Sequence, residues 1–539
     1  MTQSIYTAIT FAPVQGFIEK SRKLRDLYGS SFVLSYLARA LCDAAQDQNC
    51  TVVSPALINL TQGTPNQIIL SGNFPKAAAK TAFNLAWKAL IEACRQAIEK
   101  RLPTFTYRWQ RAWEACGNHA WEFFWAQTHE QHSNDPDRIG DVRRRLNEKK
   151  RSRDWTGLNW SGESSTLSGA DAIAWHRMTD KFNSKIDSIA QQTEDQKEFY
   201  AALSQEFSDA IIAPNERLSI LELIKRLITL DAIADKLNLQ SDQRPSVEIP
   251  NTFRDLNRHQ DHNWTGWFQG DGDRVGEYLK QQVEAGKDEA TALHQFSQAM
   301  MDWGKNLKFK LPPDSGRIIT QVETIFRHSL SAAAPDLSTQ ECLKWFYTFP
   351  QIWNTHQQNI TVSVGFVWTA PGVPQRDVLQ HCREAEKSAK DSGRDRIAIR
   401  ILFNGGNFLE WACPWWFLPV LKDYRDRNQQ TGDKANWTHI LQDVATLEAR
   451  HAFQANDRVA LALFKIYFGE KHHAILANEP QRWNQADQSG ILGDESRFTT
   501  EQSKQQALNQ WVINLANVGF HLHRSKTATT ATVEPAIAV

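Results

Sequence analysis

The chain has 539 residues, and Lys+Arg and Asp+Glu both number 61, so the formal net charge is zero. This excludes a globally cationic nucleic-acid binder and leaves only local basic patches to consider. The length suggests roughly three or four domains of about 150 residues each, and 20 tryptophans imply large aromatic cores or interfaces. None of the seven cysteines (Cys42, Cys50, Cys94, Cys116, Cys342, Cys382, Cys413) forms a Cys-x-x-Cys pair. Neither a zinc ribbon nor a disulfide framework is therefore expected, which fits a reducing cytoplasm. No charged leader precedes an apolar stretch, and no apolar run reaches about 18 residues, so the expectation is a cytoplasmic protein with no membrane partner.

In chain order, residues 5–11 read as a strand, and a helix runs from about 17 into the forties with a break near Gly29. Strands are expected over 51–60 and 67–70, around the Thr64-Pro65-Asn66 turn, and an apolar spacing near 3.6 marks a helix over 77–101. Strand, helix, hairpin, helix suggests a split βαβ, ferredoxin-like unit over 1–105. Residues 106–250 read as a helical domain. Within it Trp109, Trp113, Trp121 and Trp125 form two i,i+4 pairs, read as helix packing rather than a base-stacking ladder. The basic run Arg143, Arg144, Arg145, Lys149, Lys150, Arg151 and Arg153 contains Glu148 alone as counter-charge. It is either a solvated face or a track for phosphates. Residues 161–169 read as a loop, 191–237 as helical, and 241–250 as a linker.

Residues 251–404 form a second α/β module: strand 264–269, helices over 275–309, strand 316–320, a hairpin, helix 339–357, strand 360–368, helix 376–391 and strand 396–403. The strand Ile360-Thr361-Val362-Ser363-Val364 is β-branched at alternate positions, as a sheet strand should be. The cluster Arg258-His259-Gln260-Asp261-His262 before this module reads as a polar loop. Beyond 405 the chain turns helical to 526, over 415–425, 437–453, 457–468 and 501–524. Residues 527–539 read as a disordered tail.

The chemistry concentrates in Gln269-Gly270-Asp271-Gly272-Asp273-Arg274-Val275-Gly276. Two aspartates at a strand end can hold a divalent metal, with Gly270 and Gly272 letting a phosphate approach the backbone. Two-metal phosphoryl chemistry needs further carboxylates from a facing hairpin. That hairpin follows Gly316-Arg317-Ile318-Ile319-Thr320, and its tip reads Gln321-Val322-Glu323-Thr324-Ile325, with no Asp-Asp.

Three stretches in register carry a resemblance. They are Phe11-Ala12-Pro13-Val14-Gln15-Gly16-Phe17-Ile18 with Arg22-Lys23-Leu24-Arg25-Asp26-Leu27-Tyr28-Gly29-Ser30-Ser31 and Leu34-Ser35-Tyr36-Leu37, the Gly270–Gly276 turn, and Ile360–Phe366 followed by Arg383-Glu384-Ala385-Glu386-Lys387-Ser388-Ala389-Lys390 and Gly393-Arg394-Asp395. Together the chain resembles the large palm-domain subunit of type III-B CRISPR effector (Cmr) complexes. The resemblance implies an α+β fold with two ferredoxin-like, GGDEF-like palm domains interleaved with two helical domains. It also implies a place in an RNA-guided ribonucleoprotein of antiviral defence, with guide RNA, target RNA, the tag-binding subunit, and backbone and small subunits as partners. The second palm of such subunits often makes cyclic oligoadenylates from ATP on a Gly-Gly-Asp-Asp hairpin.

The chain departs from that pattern in three ways. The Gly-Gly-Asp-Asp places fall on Val322-Glu323-Thr324-Ile325, where only Glu323 could touch a metal. Neither an N-terminal HD nuclease domain nor a zinc finger is expected, because the sequence opens on the first palm-like strand and has no Cys-x-x-Cys pair. The expectation is a non-catalytic large subunit that holds the guide's 5′-tag end, the target and its neighbours; the alternative is a target-activated cyclase. Asp271 and Asp273 are the residual Mg2+ ligands, and Gly270, Gly272 and Lys387 the residual ATP contacts. The bland alternative is a glycine-eased strand-to-helix turn. For RNA, the candidates are Arg143, Arg144, Arg145, Lys149, Lys150 and Arg151, together with Arg22, Lys23 and Arg25, which could equally pack against a partner subunit.

Overall fold

The opening strand β1 (Tyr6–Ala12) is buried along six of its seven residues and takes a central place in a four-stranded antiparallel sheet of order β2-β3-β1-β4. A computed structural model describes residues 5–61, 63–128, 137–152, 162–180, 188–244, 264–307, 318–321, 325–330, 339–454 and 456–523. The 245–250 part of the expected linker, the 258–262 cluster, Arg153, residues 322–324 of the hairpin tip and the 527–539 tail lie outside the described residues.

In the first sheet β1 is followed by α1 (Val14–Glu19), α2 (Leu24–Gln46), β2 (Thr51–Ser54), β3 (Ile68–Ser71), α3 (Lys76–Arg101), α4 (Gln110–His119) and β4 (Glu122–Gln127). β1 pairs antiparallel with both β3 and β4. This is the ferredoxin-like arrangement, and its closing strand lies beyond residue 105, where the sequence reading ended the domain. Trp121 and Trp125 are therefore not on a helix with Trp109 and Trp113. Trp125 sits in β4 opposite Ile9, and Trp121 meets Phe11, Phe17 and Trp87 edge-on or tilted. The run Glu122-Phe-Phe-Trp-Ala-Gln alternates in burial, and pairing with β1 overrides its helical reading. The first helix breaks at residues 20–23, not at Gly29. Gly29 lies mid-helix, and glycine is needed there because a Cβ would lie 1.8 Å from the Lys225 carbonyl oxygen. The basic helix α5 (Arg138–Arg151) belongs to this sheet as well. Its Ile139, Val142 and Leu146 pack with Tyr6, Ala8, Phe124 and Ala126.

The 191–237 region resolves into three helices, α6 (Ile189–Phe207), α7 (Ile220–Leu227) and α8 (Asp231–Lys236). α7 is pinned to α2 by a buried ion network. Arg226, with no exposed side-chain surface, donates to Asp26 (2.7 Å) and to both Glu216 oxygens (3.1 Å to Oε1). Lys23 adds a 3.1 Å pair to Glu216.

The second sheet has the order β10-β9-β8-β5-β7-β6. Its elements are β5 (Thr265–Gly272), α9 (Val275–Glu284), α10 (Glu289–Leu307), β6 (Ile318–Gln321), β7 (Ile325–Leu330), α11 (Thr339–Trp353), β8 (Val362–Thr369), α12 (Gln375–Asp391), β9 (Arg396–Leu402) and β10 (Phe408–Pro414). The inner order β8-β5-β7-β6 repeats that of the first sheet. β9 joins β8 in parallel, as a strand–helix–strand crossover through α12 requires. β10 falls where the sequence suggested that helix begins. The Asn404-Gly405-Gly406-Asn407 turn folds Phe408–Pro414 back on β9 as a hairpin. Helices α13 (Thr438–Ala449), α14 (Arg458–Ala477, bent at Gly469 with φ 79°) and α15 (Glu501–His523) complete the described chain.

Two large cores meet in this sheet. On one face Val362, Val364 and Phe366 pack with Phe346, Trp411, Trp415 and the C-terminal helices. On the other, Val367 and the α12 residues Val378, Leu379 and Ala385 join a core continuous with Ile9, Phe11 and the first sheet. No described helix is long and apolar enough to cross a membrane.

Candidate functional site

Strand β5 runs straight through the first aspartate of the motif, pairing Gly270 with Val364 and Asp271 with Ser363. The chain turns only at Asp273 and Arg274 (φ 53°), and α9 starts at Val275 as the sequence suggested. Gly270 is buried and Gly272 half-buried, and both are closely packed. A Cβ at Gly270 would meet Val364 Cγ2 at 3.0 Å, and one at Gly272 would meet Ile360 and Val275 at 3.2 Å. These glycines allow close sheet packing.

Asp273 is 3% exposed, and its carboxylate accepts three hydrogen bonds from its neighbours. Oδ1 accepts from Ser363 Oγ at 2.7 Å, while Oδ2 accepts from Thr361 Oγ1 at 2.8 Å and from the Asp395 backbone N–H at 3.0 Å. The last bond depends on an unusual turn. Gly393, Arg394 and Asp395 follow one another at φ 127°, 65° and 49°, and the left-handed pair brings the Asp395 amide inward. Burial pushes the Asp395 carboxyl up to about 6, while Ser489 holds it by a 3.0 Å hydrogen bond.

The partner of Asp271 comes from α12. That helix lies almost in contact with β8 because residue 365 is glycine: a Cβ there would be 2.3 Å from the Glu386 amide nitrogen. The close approach brings the last turns of α12 over the aspartate. Lys390 Nζ bonds Asp271 Oδ2 and sits 2.7 Å from Glu386 Oε1, so one ammonium bridges two carboxylates. Burial pushes Asp271 up to about 6 against the pull of Lys390, and burial likewise raises Glu386. Burial disfavours the charged lysine, but Asp271 and Glu386 outweigh it and raise Lys390. Lys387, the residue expected near a nucleotide, is exposed one turn earlier on the same helix. One helical turn separates the two lysines, and register against Gly365 decides which one faces the sheet. The Glu386–Lys390 i,i+4 spacing just before Gly393 was the available signal for Lys390.

The expected hairpin is present beside the motif. β7 pairs with β5 so that Phe326 lies opposite Gly270, and β6 pairs with β7 from Gln321↔Ile325 outward. Residues 322–324, which connect the two strands, lie outside the described residues; by sequence they contain one carboxylate, Glu323, where two-metal chemistry needs a pair.

Mg2+ asks for near-octahedral oxygen donors at about 2.0–2.1 Å, usually one or two carboxylates with waters and phosphate oxygens. The described residues do not fit it. Both oxygens of Asp273 are taken by three donors, and Asp271 and Glu386 share an ammonium that would repel a divalent ion. No group of three His, Cys, Asp or Glu side chains poised for a metal exists among the described residues. All seven cysteines are buried, and burial raises the thiols of Cys42, Cys94 and Cys116.

The basic candidates divide by burial. Lys23, 5% exposed, pairs with Glu216, and Arg25, 1% exposed, donates to Thr229 Oγ1 at 2.8 Å. Both hold α2 to the helical region and are removed from the RNA reading; Arg22 remains at the surface. On α5, Arg144 is paired with Asp137 at 2.6 Å and Arg145 with Asp141 at 2.8 Å, while Arg143 is half-buried. Lys149, Lys150 and Arg151 are exposed on the last turn, with Lys149 5.5 Å from the Trp125 ring centroid.

Residues 6–105 match the family model described as CRISPR-associated protein Cmr2, N-terminal. Over 96% of this chain and 82% of the other, the fold is similar to a chain of the type III-B Cmr-beta structure in its apo state, at 11% identity and a TM-score of 0.53. Csm1 of T. onnurineus aligns over 97% of this chain and 70% of its own length, at 14% identity and a TM-score of 0.46. No curated protein matches the chain.

Proposed function

We propose that this chain is a non-catalytic large subunit of a type III-B-like RNA-guided complex; the N-terminal match to the Cmr2 model and the shared fold support the reading. It holds the guide's 5′-tag end, the target RNA and neighbouring subunits, while its second palm serves as framework. One observation carries the non-catalytic part. The Lys390 ammonium bridges Asp271 and Glu386 at the place where nucleotide joining would need a divalent ion. A missing ligand pair removes Lewis acidity and in-line geometry together, and loss of such electrostatic stabilisation costs orders of magnitude in rate. Mg2+ and ATP then have no productive seat at the turn, and the lysine supplies the counter-charge.

The test is the assembled complex, carrying guide RNA, incubated with a matching transcript, ATP and Mg2+. The expected outcome is retained target and no linked adenylates. Target-dependent oligoadenylate that disappears in Asp271→Ala would overturn the reading in favour of a cyclase.

A further inference from the structure

At the opposite end of α12 from Lys390, a second polar site stands apart from the palm turn. Fifteen residues separate Gln375 from Lys390, about 22 Å along the axis at about 1.5 Å per residue. A cleft of about 600 Å3 opens there, within the roughly 300–1,000 Å3 of small-ligand sites. Three separate parts of the chain line it: Gly16 and residues 19–22 around the α1–α2 break, residues 167, 168 and 170, and the 371–376 segment leading from β8 into α12.

Its chemistry is that of an anion site. α12 is 17 residues long, and its first amides have no intrahelical acceptor, so its start carries partial positive charge. The amides just before it are committed elsewhere, Gly372 to Asn404 Oδ1 and Val373 to the Ala370 carbonyl. Residue 374 is proline, so the first donors facing outward are those of Gln375 and Arg376. Gln375 lines the cleft, is 5% exposed, and leaves its Nε2 donor without a hydrogen-bond partner. A buried donor of that kind calls for an acceptor. Three cations, Lys20, Arg22 and Arg376, line the same cleft against Glu19, which is already paired with Arg383. Lys20 leans on Asp171 at 3.0 Å, and Arg376 makes only a 3.4 Å contact to its neighbour Asp377, with both side chains well exposed.

We propose that this cleft binds a phosphate ester, with Gln375 Nε2 and the first amides of α12 donating to its oxygens and Arg22 and Arg376 supplying charge. The same chemistry is offered by a free nucleotide and by the backbone or end of an RNA strand, so the test separates them. The full-length chain is titrated with AMP, with adenosine and with a 5′-phosphorylated hexaribonucleotide in about 100 mM salt, where phosphate contacts still register. AMP or the RNA binds and adenosine does not. Arg22→Glu with Arg376→Glu weakens the binding by about tenfold or more, as loss of charge-assisted bonds to phosphate should, and Gln375→Met by a smaller factor. Lys280→Glu, on the exposed face of α9, leaves it unchanged. Binding of AMP alone identifies a free nucleotide as the source, and binding of RNA alone identifies a strand. If neither binds tighter than about 1 mM, or if the double charge reversal changes nothing, the cleft is not a phosphate site. The two arginines are at the surface, so their variants fold, and Gln375→Met is checked by its melting transition.

Discussion

Two buried charge clusters, one in each half of the molecule, use similar residues to opposite effect. At the α2–α7 contact, Asp26 and Glu216 are balanced by Arg226, with Lys23 beside them. Burial alone would raise both carboxyls, but the charge and hydrogen bonds of Arg226 outweigh it and hold both below their ordinary values. At the end of β5, Asp271, Glu386 and Asp395 crowd around Asp273 with Lys390 as the cation that bridges two of them, and burial wins: all three carboxyls are raised. The first cluster is a closed ionic lock. The second has more acid than its lysine can neutralise. Lys390 relieves that imbalance in part.

The largest way to break the contrast is to open the lock. Arg226→Met leaves Asp26 and Glu216 buried without a counter-charge, and removing one partner of such a network costs about 3–5 kcal/mol. Chemical denaturation should show that loss. An unchanged midpoint would mean the helical region is not held through α7.

Lys390→Met comes next, with a smaller loss of about 1–3 kcal/mol for charge-assisted bonds in a partly accessible site. Its sharper readout is ionic. Millimolar Mg2+ should raise the melting temperature of the variant, in which two carboxylates are released, and leave the unsubstituted chain unmoved. A Mg2+ shift in the unsubstituted chain would show that the β5 turn still accepts the ion with its lysine in place.

This contrast was only half legible in the sequence. The strand, helix, hairpin and helix of the first module and the alternating strands and helices of the second could be read from periodicity and turn residues, because each element has its own apolar face. The aspartates and the altered hairpin were equally visible, since they are matters of residue identity. Burial and register were not. Lys23 and Arg25 look like surface cations until Glu216 and Thr229, some 200 residues away in sequence, close over them. Lys390 could not be told from Lys387 without the contact that Gly365 permits between α12 and β8. β4 and β10 were missed for a related reason: each is short and is a strand only because a neighbour in the sheet pairs with it.

Mild acid should move one cluster and leave the other where it is. A carboxyl raised to about 6 in the folded chain, as at Asp271 and Asp395, carries a penalty that is absent below the ordinary value of about 4, grows as pH rises between the two, and is complete above about 6. Lowering the pH from 7 to about 5 should therefore increase hydrogen-exchange protection of β5 and β8, after correction for the intrinsic exchange rate. Asp271→Asn should blunt that gain. Asp26 and Glu216, depressed by Arg226, contribute stability that is lost only as pH falls through their lowered values, so the α2–α7 contact should be unmoved over the same range. Equal responses in both regions would remove the distinction between lock and remnant.

The smallest effect on stability is expected where the comparison leaves positive charge unspent. If the buried cations of the first half are structural, charge available to an RNA strand lies at the exposed end of α5, in Lys149, Lys150 and Arg151, while Arg144 and Arg145 are engaged with Asp137 and Asp141. Reversing the three terminal charges should leave the unfolding midpoint within the scatter of surface substitutions, about 0.5 kcal/mol. The same change should weaken target-RNA retention by the assembled complex several-fold and flatten its dependence on salt, because each lost phosphate contact reduces the slope by about one. Reversing Arg144 and Arg145 instead should disturb the intrahelical pairs more than the RNA. Retention that responds to Arg144 and Arg145 and ignores the helix end would place the RNA path on the first turns of α5.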